Sequence, residues 1–210
     1  MTDIEDHSDH SGHDHEAHDH GHHEHVLSYP DAVAAFRADK DAFFGSDAHS
    51  PIPPAERAAF TGLPYYPVDE ALYFEGLTAE PYTGDEPSSF QIPTSDGKLR
   101  PARRAGVLRF ELGGETRQLT GYAFDTGEDD GALFVPFLDA TSGRETYGAG
   151  RYLDLEPEDD GTYILDFNLA YHPSCVYDPR FSCPLTPAEN RLPVRIEAGE
   201  RLAAEDTGAP

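Results

Sequence analysis

The sequence predicts a mainly β fold, an antiparallel β-barrel or sandwich of about eight short strands with one or two helices on its N-terminal side. Three observations carry this reading. Hydrophobic residues alternate with a period of two from Leu72 onward. Turn signals (Gly113-Gly114, Glu128-Asp129-Asp130-Gly131 and Asp159-Asp160-Gly161) separate the alternating runs at short intervals. Ahead of them, one segment spaces its apolar residues at helical intervals instead.

That segment starts at Ser28-Tyr29-Pro30-Asp31, where Ser28 suits the cap, Asp31 the capping-box position and Pro30 the first turn. Val33, Phe36, Lys40 and Phe43 then share a face, with the Lys40 stem laid along it, and Gly45 ends the helix. The turn-rich link Ser50-Pro51-Ile52-Pro53-Pro54 opens a short second helix reaching about Phe60. The predicted strands are Leu72–Leu77, Ser89–Ile92, Gly106–Leu112, Thr116–Phe124, Leu133–Leu138, Thr146–Leu155, Tyr163–Ala170 and Leu192–Ile196. Tight turns between so many short strands favour antiparallel pairing.

The chain has 210 residues, enough for one domain plus a tail. We divide it into a disordered His/Asp-rich tail (1–27), a single β-rich domain (28–202) and a disordered C-terminal tail (203–210). Its 12 Phe and 11 Tyr can build a core even though hydrophobic residues make up only 38%. A formal net charge of −25 argues against nucleic acid or anionic membrane as partners. No apolar run approaches a membrane span, and Met1–Asp6 does not open a secretory signal. These features predict a soluble, cytoplasmic protein. Lys98, Arg100, Arg103 and Arg104 form a basic cluster, expected to be a solvated loop paired with neighbouring acids.

Forty acidic residues stand against 15 basic ones, and Lys40 and Lys98 are the only lysines. Such charge repels itself in dilute buffer, while molar salt shortens the screening length to about 3 Å. The composition predicts a protein of an extreme halophile, with arginine retained for bidentate pairing.

Nine of the eleven histidines fall in the first 27 residues: His7, His10, His13, His15, His18, His20, His22, His23 and His25, interleaved with Asp9, Asp14, Glu16, Asp19 and Glu24. Neutral imidazole beside carboxylate suits zinc, nickel, cobalt or copper, and zinc or nickel is the expected metal cofactor. Exchangeable sites of roughly micromolar affinity are expected, because ordering the chain around a metal costs about 1–2 kcal/mol per residue.

Two polar stretches lie further on. In the first, Arg144, Glu145, Tyr147 and Arg151 flank Gly148 and Gly150, whose bare face suits the close approach of a ligand or another backbone. Arg144 and Arg151 are suited to holding a carboxylate or phosphate, or to pairing within the chain. In the second, alternation places Asp166 and Asn168 on one strand face ahead of His172, Cys175 and Cys183. Asp166, His172 and Cys175 are the catalytic candidates. The spacing H-x2-C-x7-C is close to a zinc set without having a C-x-x-C knuckle. The two cysteines are otherwise read first as quiet buried thiols, then as a disulfide, and last as a thiolate paired with His172.

Several ordered motifs resemble an uncharacterised family, the domain of unknown function 1684 (DUF1684). They are Phe36-Arg37-Ala38-Asp39-Lys40-Asp41-Ala42-Phe43-Phe44, Phe60-Thr61-Gly62-Leu63-Pro64-Tyr65-Tyr66-Pro67, the run from Asp139 to Leu153, the run from Leu165 to Tyr177, Cys183-Pro184-Leu185, Glu189-Asn190-Arg191-Leu192 and Glu197-Ala198-Gly199-Glu200. The resemblance spans roughly residues 30–202. It implies that Arg144, Arg151, Asp166, Asn168, Cys175, Cys183 and Asn190 form one site or one structural knot, and it leaves the histidine tail outside the family's pattern.

Two readings of function follow. In the first, the tail binds a transition metal for storage, delivery or sensing. In the second, the body is an enzyme or binding module for a small anionic molecule, with Arg144, Glu145, Tyr147, Arg151, Asn168 and Asn190 lining the pocket and Asp166 or His172 as acid/base.

Overall fold

The computed structural model describes residues 27–124 and 131–203. The tail histidines, the turn at 128–130 and the chain after 203 lie outside the described residues.

Helix α1 spans Tyr29–Ser46. The Ser28 hydroxyl caps it, accepting from the Asp31 amide at 3.4 Å and donating to the Asp31 carboxylate at 2.6 Å. The face it buries is the expected one at Val33 and Lys40 but not at Phe36 and Phe43. Phe36 and Phe43 remain 45% and 41% exposed, whereas Val33 and Phe44 are buried. Val33, Arg37, Lys40 and Phe44 form the inward stripe, because the body offers carbonyl and carboxylate oxygens to Arg37 and Lys40. Phe44 packs with Ile52 and Leu63 in a small satellite core. The expected second helix is a single 3-10 turn at Arg57–Ala59.

Seven strands follow: β1 (Tyr73–Leu77), β2 (Ser89–Pro93), β3 (Leu99–Leu112), β4 (Glu115–Phe124), β5 (Leu133–Phe137), β6 (Arg151–Leu155) and β7 (Tyr163–Asp166). Strands β2 to β6 form a five-stranded antiparallel sheet in chain order, and β1 pairs antiparallel with β7 in a second sheet. The larger sheet does not close on itself, so the arrangement is sandwich-like and not a barrel. Gly113 and Gly114, at φ +65° and +76°, make the two-residue turn that joins β3 to β4.

The core lies between the sheets. Leu108, Leu119, Val135, Phe137, Leu165 and Ile196 are wholly buried there. Phe110, Phe137 and Phe167 meet with ring centroids 5.2–5.7 Å apart, and Phe74 of β1 joins them 5.0 Å from Phe110. Each buried aromatic of this size contributes about 2–3 kcal/mol.

Three strand expectations change. In the basic cluster Lys98 pairs with Asp96 in the turn as expected, but Arg100, Arg103 and Arg104 lie in the first part of a long β3 and not in a loop, with Arg104 buried against Glu189. The Thr146–Leu155 strand begins only at Arg151, because Gly150 turns at φ +104°. A Cβ there would strike the Phe137 carbonyl and the Thr186 hydroxyl, so a backbone, not a ligand, occupies its bare face. Leu192–Ile196 runs beside the end of β5 through Leu192 N–H to Leu138 O (2.7 Å) and Ala140 N–H to Val194 O (2.9 Å) without becoming a strand.

Candidate functional site

Four of the polar residues singled out in the sequence, Arg151, Asp166, Asn168 and His172, lie in two buried clusters beneath α1, one between the start of β6 and the segment 196–200 and the other at the end of β7. Arg151, at the head of β6, is 1% exposed. Its Nη1 donates to the carbonyls of Ala198 and Glu200, the latter at 3.1 Å, and Nη2 donates to the Ile196 carbonyl at 2.8 Å. Asp139 approaches Nη2 at 3.6 Å and accepts the Ile196 amide at 2.7 Å. Burial lowers the guanidinium pKa and Asp139 opposes this. The Nη donors of Arg151 are thus spent on the chain's own C-terminal backbone.

Glu200, also 1% exposed, is the next member. Its Oε2 accepts from the His172 backbone amide at 2.7 Å and from the Tyr177 hydroxyl at 2.9 Å. Its Oε1 takes the Lys40 ammonium in an ion pair at 2.7 Å. That ammonium also lies 4.6 Å from the Tyr171 ring centroid. Burial and the Glu200 charge push the Tyr177 phenol far above its ordinary value, so it stays a donor.

His172 sits against this pair with Nδ1 3.6 Å from Glu200 Oε2. Its Nε2 accepts from the Tyr147 amide at 3.3 Å, which places the ring proton on Nδ1. Burial, with the charges of Arg151 and Lys40, pushes its pKa down to about 3. The ring is therefore neutral across the physiological range.

Asp166 and Asn168 anchor the other end of α1. Strand β7 ends at Asp166, so the two residues do not share a strand face as expected; Asn168 lies in a 3-10 turn that the Asp166 carboxylate caps. Asp166 Oδ1 accepts from the Tyr29 hydroxyl at 2.8 Å and from the Asn168 amide at 2.9 Å. Asn168 Nδ2 donates to Tyr29 and to the Asp69 carbonyl, both at 2.8 Å, and its Oδ1 accepts from the Asp69 amide. Arg37 donates to the Asn168 and Tyr66 carbonyls.

The remaining candidates lie apart. Asn190 bridges β4 and β5, donating to the Thr120 and Pro136 carbonyls and accepting from the Thr120 amide, all at 2.8 Å. Pro136 has no N–H to offer a ladder, and β4 pairs with β5 only at Tyr122 opposite Phe134. The Asn190 amide fills that gap. Glu145 joins Arg195 at 2.6 Å and accepts from Tyr66 at 3.0 Å. Arg144 is exposed, with no side-chain partner among the described residues. Cys175 and Cys183 are free thiols beside Tyr147. Among the described residues no three of His, Cys, Asp and Glu converge as a metal set.

Lys40, Glu200, Tyr177, Tyr29 and Arg37 were not among the sequence candidates. One signal was there: a lysine on the apolar face of a helix, in a chain with two lysines, needs a buried carboxylate.

The model of a protein family of unknown function, DUF1684, matches residues 58–201. The chain belongs to the DUF1684 family. Its match covers β1 to β7 and Glu200, while α1 precedes it. A solved relative is the uncharacterized protein from gene locus rrnAC0354 of Haloarcula marismortui, determined by solution NMR. It is 39% identical, covering 85% of this chain and 95% of that one, with a TM-score of 0.61. No curated protein matches the chain. No described helix is long and apolar enough to cross a membrane.

Proposed function

We propose that this DUF1684 protein binds a first-row transition metal through its N-terminal histidines and that the β-rich body is the platform carrying them. The observation behind this reading is the run of nine histidines between His7 and His25, ending just before the Ser28 cap of α1. Imidazole and carboxylate at that density favour zinc, nickel, cobalt or copper, in exchangeable sites suited to storage, delivery or sensing. The geometry of the body agrees with a platform: the side chains of Arg151, Asp166, Asn168 and Glu200 are engaged in holding α1 and the C-terminal segment. The acid-rich composition supports operation in a salty cytosol, where screened carboxylates hold water and cations.

Metal content by mass spectrometry tests this, on full-length protein and on a chain beginning at Ser28, both purified without chelator in high salt. Metal lost with residues 1–27 is the expected result. One metal per chain retained by the shortened protein would overturn it and move the site into the body.

A further inference from the structure

The two cysteines sit where neither the core nor the polar network uses them. Cys183 is buried and clipped to the β2–β3 turn: its amide donates to Ser95 Oγ at 3.0 Å, and its carbonyl accepts from the Ser95 amide at 2.8 Å. Cys175 is half-buried on the 3-10 turn Ser174–Val176. Its amide donates to Cys183 Sγ at 3.3 Å, which brings the two residues together across the intervening loop. Its own thiol reaches toward the Tyr147 hydroxyl at 4.0 Å.

That loop has a task. Tyr177 within it donates to Glu200 and stacks edge-on against Phe44 with centroids 5.1 Å apart, so it clamps the C-terminal half of α1 onto the body. A bond between Cys175 and Cys183 would fix both ends of the clamp.

We infer that Cys175 and Cys183 are a reversible redox pair, Cys175 being the entry point for a low-molecular-weight disulfide and Cys183 the resolving thiol. The Cys175 thiolate attacks one sulfur of the small disulfide, forming a mixed disulfide and releasing one small thiolate. Cys183 loses its proton and attacks the Cys175 sulfur, forming the intramolecular bond and expelling the second small thiolate. The two protons leave with the two small thiols. The protein pair is oxidised by two electrons and the small disulfide is reduced by two.

Exposure sets the order of attack, since Cys175 is half-buried and Cys183 is buried. The Cys175 N–H aimed at Cys183 Sγ helps to stabilise negative charge there as the second thiolate forms. Burial raises the Cys183 thiol pKa to about 11, which disfavours it as the first attacking thiol.

The test incubates folded full-length protein, with chelator present to remove metals, in graded ratios of oxidised to reduced glutathione. Free thiols are then alkylated and the products weighed. Wild type should lose the mass of two hydrogens and accept no alkylating group, with the change reversed by dithiothreitol. Cys183→Ser should accumulate a glutathione adduct on Cys175 at roughly tenfold the wild-type level, because a neighbouring thiol acts at an effective concentration in the millimolar range. Cys175→Ser should stay unmodified. A stable glutathione adduct on wild-type Cys175, or two free thiols at the most oxidising ratio, would overturn the inference. Both of those outcomes are read on wild type, so a variant that fails to fold does not remove the test.

Discussion

His172 makes folding stability depend on pH between 5 and 7.5, above the range in which ordinary carboxylates titrate. The native ring titrates near 3 against 6.5 in a free chain, because burial and the nearby Arg151 and Lys40 charges disfavour imidazolium. Between those values the unfolded chain binds a proton that the native protein refuses. Stability is therefore complete above 6.5, falls as pH drops toward 3, and levels off below. Each pH unit inside the window costs about 1.4 kcal/mol, so lowering the pH from 7.5 to 5 removes about 2 kcal/mol through this residue. Replacing His172 with Gln keeps an acceptor for the Tyr147 amide and removes the titration. Urea unfolding of wild type and His172→Gln in molar KCl, at several pH values from 5 to 7.5, isolates the effect, because every other group titrates in both proteins. The wild-type curve should fall more steeply by about 2 kcal/mol over that range. Parallel curves would show that the native ring accepts a proton with ordinary affinity, and would refute the electrostatic reading of the Lys40–Glu200–His172 centre.

Three further outcomes follow from the same network and composition. Asn190→Ala removes three hydrogen bonds and leaves two carbonyls and one amide unpaired between β4 and β5, so the urea midpoint should fall by the equivalent of roughly 3 kcal/mol or more. Lys40→Met strands the buried Glu200 carboxylate and should cost about 3 kcal/mol, of which the double variant Lys40→Met/Glu200→Gln recovers most; equal losses in single and double variants would contradict the ion pair. The melting temperature should climb from dilute buffer to molar KCl, and a flat response would rule out salt-screened repulsion among the 40 acids as a force on the fold.

The parts of the molecule legible in the sequence are those fixed by local chemistry. Ser28 and Pro30 announce the helix start, Gly113-Gly114 announces a hairpin, and alternation from Leu72 announces strands, since caps, turns and pleats each depend on residues a few positions apart. What could not be read is what those elements meet. Helical spacing puts Val33, Phe36, Lys40 and Phe43 on one face of α1, and of these the structure turns Val33 and Lys40 inward and leaves Phe36 and Phe43 outside. Arg37 joins the inward stripe in place of Phe36 because the facing surface is made of the Tyr66 and Asn168 carbonyls, and Lys40 meets there the Glu200 carboxylate, 160 residues along the chain. A hydrophobicity pattern holds no record of such partners.

The same distance effect governs how the polar motifs should be understood. Arg151, Asp166 and Asn168 look like substrate-binding residues when read one at a time, because each carries several donors or acceptors close to a glycine or a loop. In the fold their groups are largely satisfied by backbone: Ile196, Ala198 and Glu200 for Arg151, Asp69 for Asn168, and the Asn168 amide for Asp166. A fully buried guanidinium with three carbonyl acceptors is costly to desolvate, and removing any one partner leaves charge or dipole unpaired. Such a cluster resists substitution whether or not it touches a ligand. In this chain the motifs around Arg151, Asp166 and Asn168 hold the C-terminal segment and α1 against the β-sandwich. Among the described residues, functional candidates are better sought where groups retain unspent chemistry: the exposed Arg144 and the Cys175 and Cys183 thiols.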